Sequence, residues 1–136
     1  MHRLAMRLRE ADRTRGAAAV EFAIVLTLLL MIVFGIIDFG RALNAQETLT
    51  QAAREGARLV ALNQSNVVSR TQSAATGLSP VSVNVVQSCP AGATQATDAI
   101  VTVTYQYRFV TPLVALIGAA TGPITLTGRG RMPCAG

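Results

Sequence analysis

The sequence has no lysine and a single histidine, His2. Without lysine there is no amine for Schiff-base chemistry and no Gly-x-x-x-x-Gly-Lys phosphate loop. With one histidine there is no usable Ser-His-Asp set, and the two cysteines, Cys89 and Cys134, do not form a Cys-x-x-Cys pair, so zinc and redox motifs are excluded. Acidic residues are scarce and scattered. Outside the N-terminal leader only Glu47, Glu55 and Asp98 lie clear of the long apolar run and its edge, which leaves no paired-carboxylate site. Charged residues make up 14% of the chain and aromatics 4%. No catalytic residue, metal, cofactor or small-molecule substrate is therefore expected.

What is abundant is apolar surface, 51% of 136 residues. A chain of this length has room for one membrane segment and one small domain. The net charge of +5 is concentrated at one end. Arg3, Arg7, Arg9, Arg13 and Arg15 against Glu10 and Asp12 give the leader 5 − 2 = +3, leaving +2 for the rest. Arginines beside an apolar run read as the cytoplasmic flank of a membrane span, with lipid headgroups as partner. No basic patch interleaved with aromatics follows, so no nucleic acid is expected.

The chain divides by composition. Residues 1–16 are a basic cytoplasmic leader. Residues 17–37 are broken only by Glu21 and Thr27, and as a helix they cover about 30 Å, the thickness of a bilayer's hydrocarbon. The run is too long for an ordinary cleaved signal and has no Ala-x-Ala site at its far end, so it should remain as an anchor. Residues 38–62 lack proline and continue as an amphipathic helix, with Leu49, Ala52, Ala53, Gly56, Ala57 and Val60 on a narrow stripe. Glu47, Gln51, Arg54, Glu55 and Arg58 fall mainly elsewhere.

Residues 63–136 should form a small β-rich head outside the cytoplasm. Asn63 to Pro80 reads as a breaker and connecting loop. Beyond it the period falls to two: Val81, Val83 and Val85, then Val101, Val103, Tyr105, Tyr107 and Phe109. A third strand at Ile124, Leu126 and Met132 is weakened by Gly128 and Gly130. Between them, Pro112 to Pro123 suggests a short helix or tight apolar loop. The fold expected is α+β: a long N-terminal transmembrane helix continuing into an amphipathic one, packed on a small antiparallel sheet. Cys89 and Cys134 both lie on the side that is translocated if the arginines stay inside, and in an oxidising compartment they are expected to pair. Two unrelated free thiols are the alternative.

Glu21 poses the functional question, because a charged side chain in a bilayer costs roughly 2.5–3.5 kcal/mol. It is preceded by Gly16 and four small or apolar residues, Ala17 to Val20, and followed by Phe22. This junction resembles prepilins, which a membrane peptidase cuts after a glycine. GAAAVEFAIVLTLLL, FGIIDFGRAL at Phe34 to Leu43 and QAAREGARLVAL at Gln51 to Leu62 together resemble the TadE-like family of minor pilins, or pseudopilins, of the tight adherence (Flp/Tad) pilus. The head is similar too, with a late Cys, VTVTYQYRF, TPL and ITLTGRGRM. One departure is Thr27, where many members carry proline.

The resemblance implies cleavage between Gly16 and Ala17 by a prepilin peptidase, and assembly with other pilins or pilus-assembly proteins. The freed Ala17 amine, charged near neutral pH, could meet Glu21 of a neighbour. Such a pair at 4 Å is worth about 4 kcal/mol at an effective dielectric near 20. Glu21 would then set register. Otherwise it snorkels at the lipid interface. Asp38 and Arg41 are expected to mark the outer interface, in a motif the resemblance implies recurs. Gly35 and Gly40 either permit close helix approach or are ordinary small packing residues. Arg54, Glu55, Gly56 and Arg58 form either a partner-helix surface or a solvated face whose glycine lets a strand cross closely. Tyr105 and Tyr107 read as core. Two rival functions remain: an unprocessed signal-anchored protein whose head binds a surface partner, and a channel subunit using Glu21 as a proton relay.

Overall fold

The computed structural model describes residues 2–92, 97–110 and 122–134, with side chains from Gly16 onward. Helix α1 (His2–Ala61) and helix α2 (Val67–Ala74) precede strands β1 (Val81–Gln87), β2 (Asp98–Tyr107) and β3 (Ile124–Pro133). The fold is α+β, with one antiparallel sheet of order β1-β2-β3. Two compact units divide the chain, Met1–Ile37 and Asp38–Gly136.

The first unit is α1 up to Ile37. Composition separates leader from helix, yet α1 already begins at His2, because Arg, Leu, Ala, Met and Glu are good helix formers and no proline precedes Pro80. From Gly16 to Leu30 every side chain is exposed, and apolar ones point to all sides: Val20 is 62% exposed, Phe22 67%, Ile36 67%. A helix apolar all round has no polar face to give to water. This one is long and apolar enough to cross a membrane. At Thr27 the hydroxyl donates to the Ala23 carbonyl at 2.8 Å, so the helix continues through this position with the polar group satisfied.

In the second unit α1 supplies a face of small side chains. Leu49, Ala52, Ala53, Ala57 and Val60 are buried, as the spacing predicts, together with Ala45, Leu59 and Ala61. The helix closes on a Schellman motif: Asn63, at φ 49°, sits just past the end, with Asn63 N–H donating to Val60 O and Gln64 N–H to Leu59 O. Asparagine tolerates the left-handed conformation that this stop requires. The connecting segment is not all loop, since it carries α2. Val, Ser and Thr in α2 are weak helix formers, and what holds the element is packing, Thr71 against Gly56 of α1 with Gln72 Nε2 donating to the Val81 carbonyl at 3.3 Å, rather than propensity.

The sheet lays one face on that helix. Ala99, Val101 and Val103 are fully buried, and Tyr107 is buried further along. Thr102, Thr104 and Gln106 alternate with them. β2 runs Asp98–Tyr107, so Phe109 falls outside the strand, and the β1–β2 register slips at Val85/Gln87, where Val86 is extra. Up to residue 121, the Pro112 to Pro123 segment lies outside the described residues.

Gly128 and Gly130, which weaken β3 as a strand pattern, are what let it lie on the helix. A Cβ on Gly128 would overlap the Leu49 carbonyl, and one on Gly130 the Ala53 carbonyl. The matching is geometric: two strand residues advance about 6.6 Å and four helical residues about 6 Å. Thus each glycine meets one turn of α1, and Gln46 Nε2 donates to the Thr127 carbonyl at 2.8 Å beside them. The disulfide Cys89–Cys134, with Cα atoms 5.8 Å apart, links the chain after β1 to the chain after β3.

Candidate functional site

Three places hold the residues singled out by sequence. The first is the start of the apolar run. Gly16 has open space around it, and Ala17, Glu21 and Phe22 are exposed. Glu21 makes no hydrogen bond or ion pair among the described residues. An ionisable group on an otherwise apolar helix has to find its partner outside this chain or at a lipid interface.

The second place is the root of the head, built around Asp38. It is 4% exposed. Its Oδ1 accepts from the Val110 N–H at 3.2 Å, and its main-chain carbonyl accepts from the Tyr107 hydroxyl at 3.2 Å. Tyr107 in turn stacks edge-on against Phe109, ring centres 5.5 Å apart. Asp38 therefore ties α1 to the end of β2, some 70 residues along the chain. Nothing in the local sequence signals that pairing, since a carboxylate just past an apolar run is an ordinary boundary residue. Losing an acceptor for a partly buried N–H costs about 1–3 kcal/mol. Asp38→Ala should lower head stability by that amount and Tyr107→Phe by about 1 kcal/mol, in thermal melts of the full chain followed by near-UV circular dichroism. Gly40 and Arg41, close by, are exposed, and Gly40 has open space around it.

The third place is residues 53–58. Ala53, Gly56 and Ala57 are buried, while Arg54 and Arg58 are exposed. Gly56 is pressed on by Thr71 of α2 and Val101 of β2: an added Cβ would lie 2.7 Å from Thr71 Oγ1 and 3.1 Å from Val101 Cγ1. On the outer side Arg58 grips Glu55 with Nε and Nη2, both at 2.9 Å. That hydrogen-bonded guanidinium holds the Glu55 carboxyl below its usual range. A lowered carboxyl pKa stabilises the fold above the ordinary carboxylate range, and the contribution disappears as pH falls through the lowered value. Because the pair is solvent-exposed and screened, its contribution is small. Glu55→Gln should cost a degree or two of melting temperature at pH 7 and nothing at pH 2.

One feature was not foreseen from the spacing. An open groove of about 680 Å³ lies in the second unit between Arg41 and Asn44 of α1, the Thr76–Pro80 turn and the Thr104–Arg108 stretch. No acidic side chain lines it. Arg41 and Arg108 are 67 positions apart in sequence, so nothing short of the fold brings them to one cavity. Among the described residues no group of His, Cys, Asp and Glu could hold a metal ion.

The TadE-like protein family matches residues 16–58, which takes in the exposed apolar helix, Glu21, Asp38 and the 53–58 stretch. No curated protein and no solved structure matches the chain.

Proposed function

We propose, from the match of residues 16–58 to the TadE-like protein family, that the chain is a minor pilin or pseudopilin of a Tad-type pilus, assembled through its N-terminal helix. In this reading a prepilin peptidase cuts after Gly16. The new Ala17 amine pairs with Glu21 of a neighbouring subunit, and Phe22 and the apolar helix pack laterally against other pilins. The head is exported and carries the disulfide. The observation that supports this best is the exposure of every apolar side chain from Ala17 to Leu30 around one carboxylate, Glu21. Such a surface needs lipid or other helices to cover it, and the carboxylate needs a cation.

The work of this protein is then mechanical. Lateral packing supplies cohesion, and the amine–carboxylate pair fixes the stagger between subunits. An attraction of about 4 kcal/mol offsets the burial of one carboxylate but not of a misregistered one left unpaired.

Intact-mass and N-terminal analysis of protein from its native membrane tests the processing. The expected mature chain starts at Ala17. A chain that keeps Met1 to Gly16 in cells with a working prepilin peptidase would favour an unprocessed anchor whose head binds a surface partner. Glu21→Ala should abolish assembly while leaving the head folded, read by pilus yield against thermal melting; pili at wild-type yield from that variant would remove Glu21 from the mechanism.

A further inference from the structure

The Arg41–Arg108 groove has no role in the reading above. We propose that it holds the phosphate of an anionic phospholipid headgroup, an inference that rests on reading α1 as a membrane anchor. Both arginines are exposed and make no hydrogen bond or ion pair among the described residues, unlike Arg58 and Arg131, which are paired with Glu55 and Asp98. Two guanidiniums on separate elements, opening into one groove with no acid in its lining, leave a concentrated positive charge. Guanidinium matches phosphate geometrically, by parallel N–H donors. The rest of the lining is neutral, with Asn44, Ser79, Ser82 and Thr104 as hydrogen-bonding side chains beside Ala45, Leu78 and Pro80. It suits a hydroxylated headgroup such as glycerol.

Chain connectivity decides between lipid and a distant partner. Arg41 follows Ile37, the last residue of the apolar run, by four positions. At no more than about 3.8 Å per residue its Cα stays within roughly 15 Å of that residue whatever the orientation of the head. The headgroup layer is therefore always within reach of its side chain. An acidic protein surface has no such guarantee.

The test uses the full chain in nanodiscs of phosphatidylcholine with increasing phosphatidylglycerol, with retained lipid counted by native mass spectrometry after transfer to detergent. The leader arginines also attract anionic lipid, so each measurement is repeated with Arg3, Arg7, Arg9, Arg13 and Arg15 replaced by glutamine. The expected result is one tightly retained phosphatidylglycerol that survives the leader replacement. Its apparent affinity should fall on the order of tenfold in Arg41→Gln and in Arg108→Gln, fall further in the double variant, and stay unchanged in Arg129→Gln. Arg41, Arg108 and Arg129 are exposed, and an unchanged melting curve checks that the head is intact.

Retention that vanishes with the leader arginines, ignores the double groove variant, or is equal for phosphatidylcholine would overturn the site. So would competition by free glycerol phosphate with no lipid retained. Loss of pilus assembly in the double variant with lipid retention unchanged would give the groove to a protein partner instead. Failure of the chain to enter the disc would count against the membrane anchor itself, a different outcome from entry without retention.

Discussion

Gly130→Ala lowers the melting temperature of the head by about 15 °C, and Gly130→Val leaves no folded head, as expected for roughly 3 kcal/mol or more of overpacking in a domain of this size. The obstacle is backbone, not a movable side chain. An alanine Cβ at 130 would sit inside the carbonyl of Ala53, and one at 128 inside the carbonyl of Leu49. The helix cannot yield there without breaking its own hydrogen-bond ladder, so β3 has to lift away. In doing so it uncovers Val101 and Val103, its partners across the ladder at Gly130 and Gly128 and both fully buried. Gly40→Ala is the contrast. Its added Cβ meets open space, and alanine is the better helix former by about 1 kcal/mol, so the head should melt no lower. Assembly lost in Gly40→Ala would then implicate helix packing. If Gly130→Ala melts within a few degrees of wild type, the close crossing of β3 and α1 is wrong.

That crossing also marks where the sequence was readable and where it was not. The buried stripe on α1 and the inward residues of β2 follow from periods of 3.6 and 2, because each element repeats its environment along its own axis. Leu49, Ala53 and Ala57 on one side and Val101 and Val103 on the other follow that way and lie in the core. Glycine has no such signature. At positions 128 and 130 it subtracts from strand propensity, and its reason lies on a helix about 75 residues earlier. The bonds of Asp38 lack a local signature for the same cause: its acceptors serve Tyr107 and Val110, and only the folded chain brings them together. In α2 the polar composition spoke for loop, and the burial of Thr71 against Gly56 outweighed it.

The candidate assembly residues divide similarly. Glu21 was legible because a lone carboxylate contradicts its surroundings, and contradiction is visible locally. Arg41 was legible only as a boundary charge. Its pairing with Arg108 across a groove is a property of topology, since the turn at Thr76–Pro80 and the end of β2 form the other walls.

Reduction of Cys89–Cys134, or replacement of both residues by alanine, should cost the head about 4 kcal/mol, the chain-entropy value for a crosslink spanning 45 residues. Domains of this size hold about 5–15 kcal/mol in all, so the reduced head would be marginal at growth temperature. The position of the bridge strengthens the expectation. β1 and β3 are the two edges of the sheet and never touch as strands, so the bridge is the covalent link between them. Cys134 is 1% exposed and its N–H donates to the Thr97 carbonyl at 2.8 Å, which ties the bridge to the start of β2. Nearby, Arg131 of the Arg131–Asp98 pair is largely exposed while Asp98 is half-buried, and the pair should contribute about 1 kcal/mol or less. Urea melts of the full chain with and without reductant, beside Arg131→Ala without reductant, separate the two. Most of the loss should follow the disulfide, and the reduced midpoint should not move further when Cys89 and Cys134 are both alanine. A reduced protein that melts like the oxidised one would mean that the sheet is held by β2 and the glycine crossing alone.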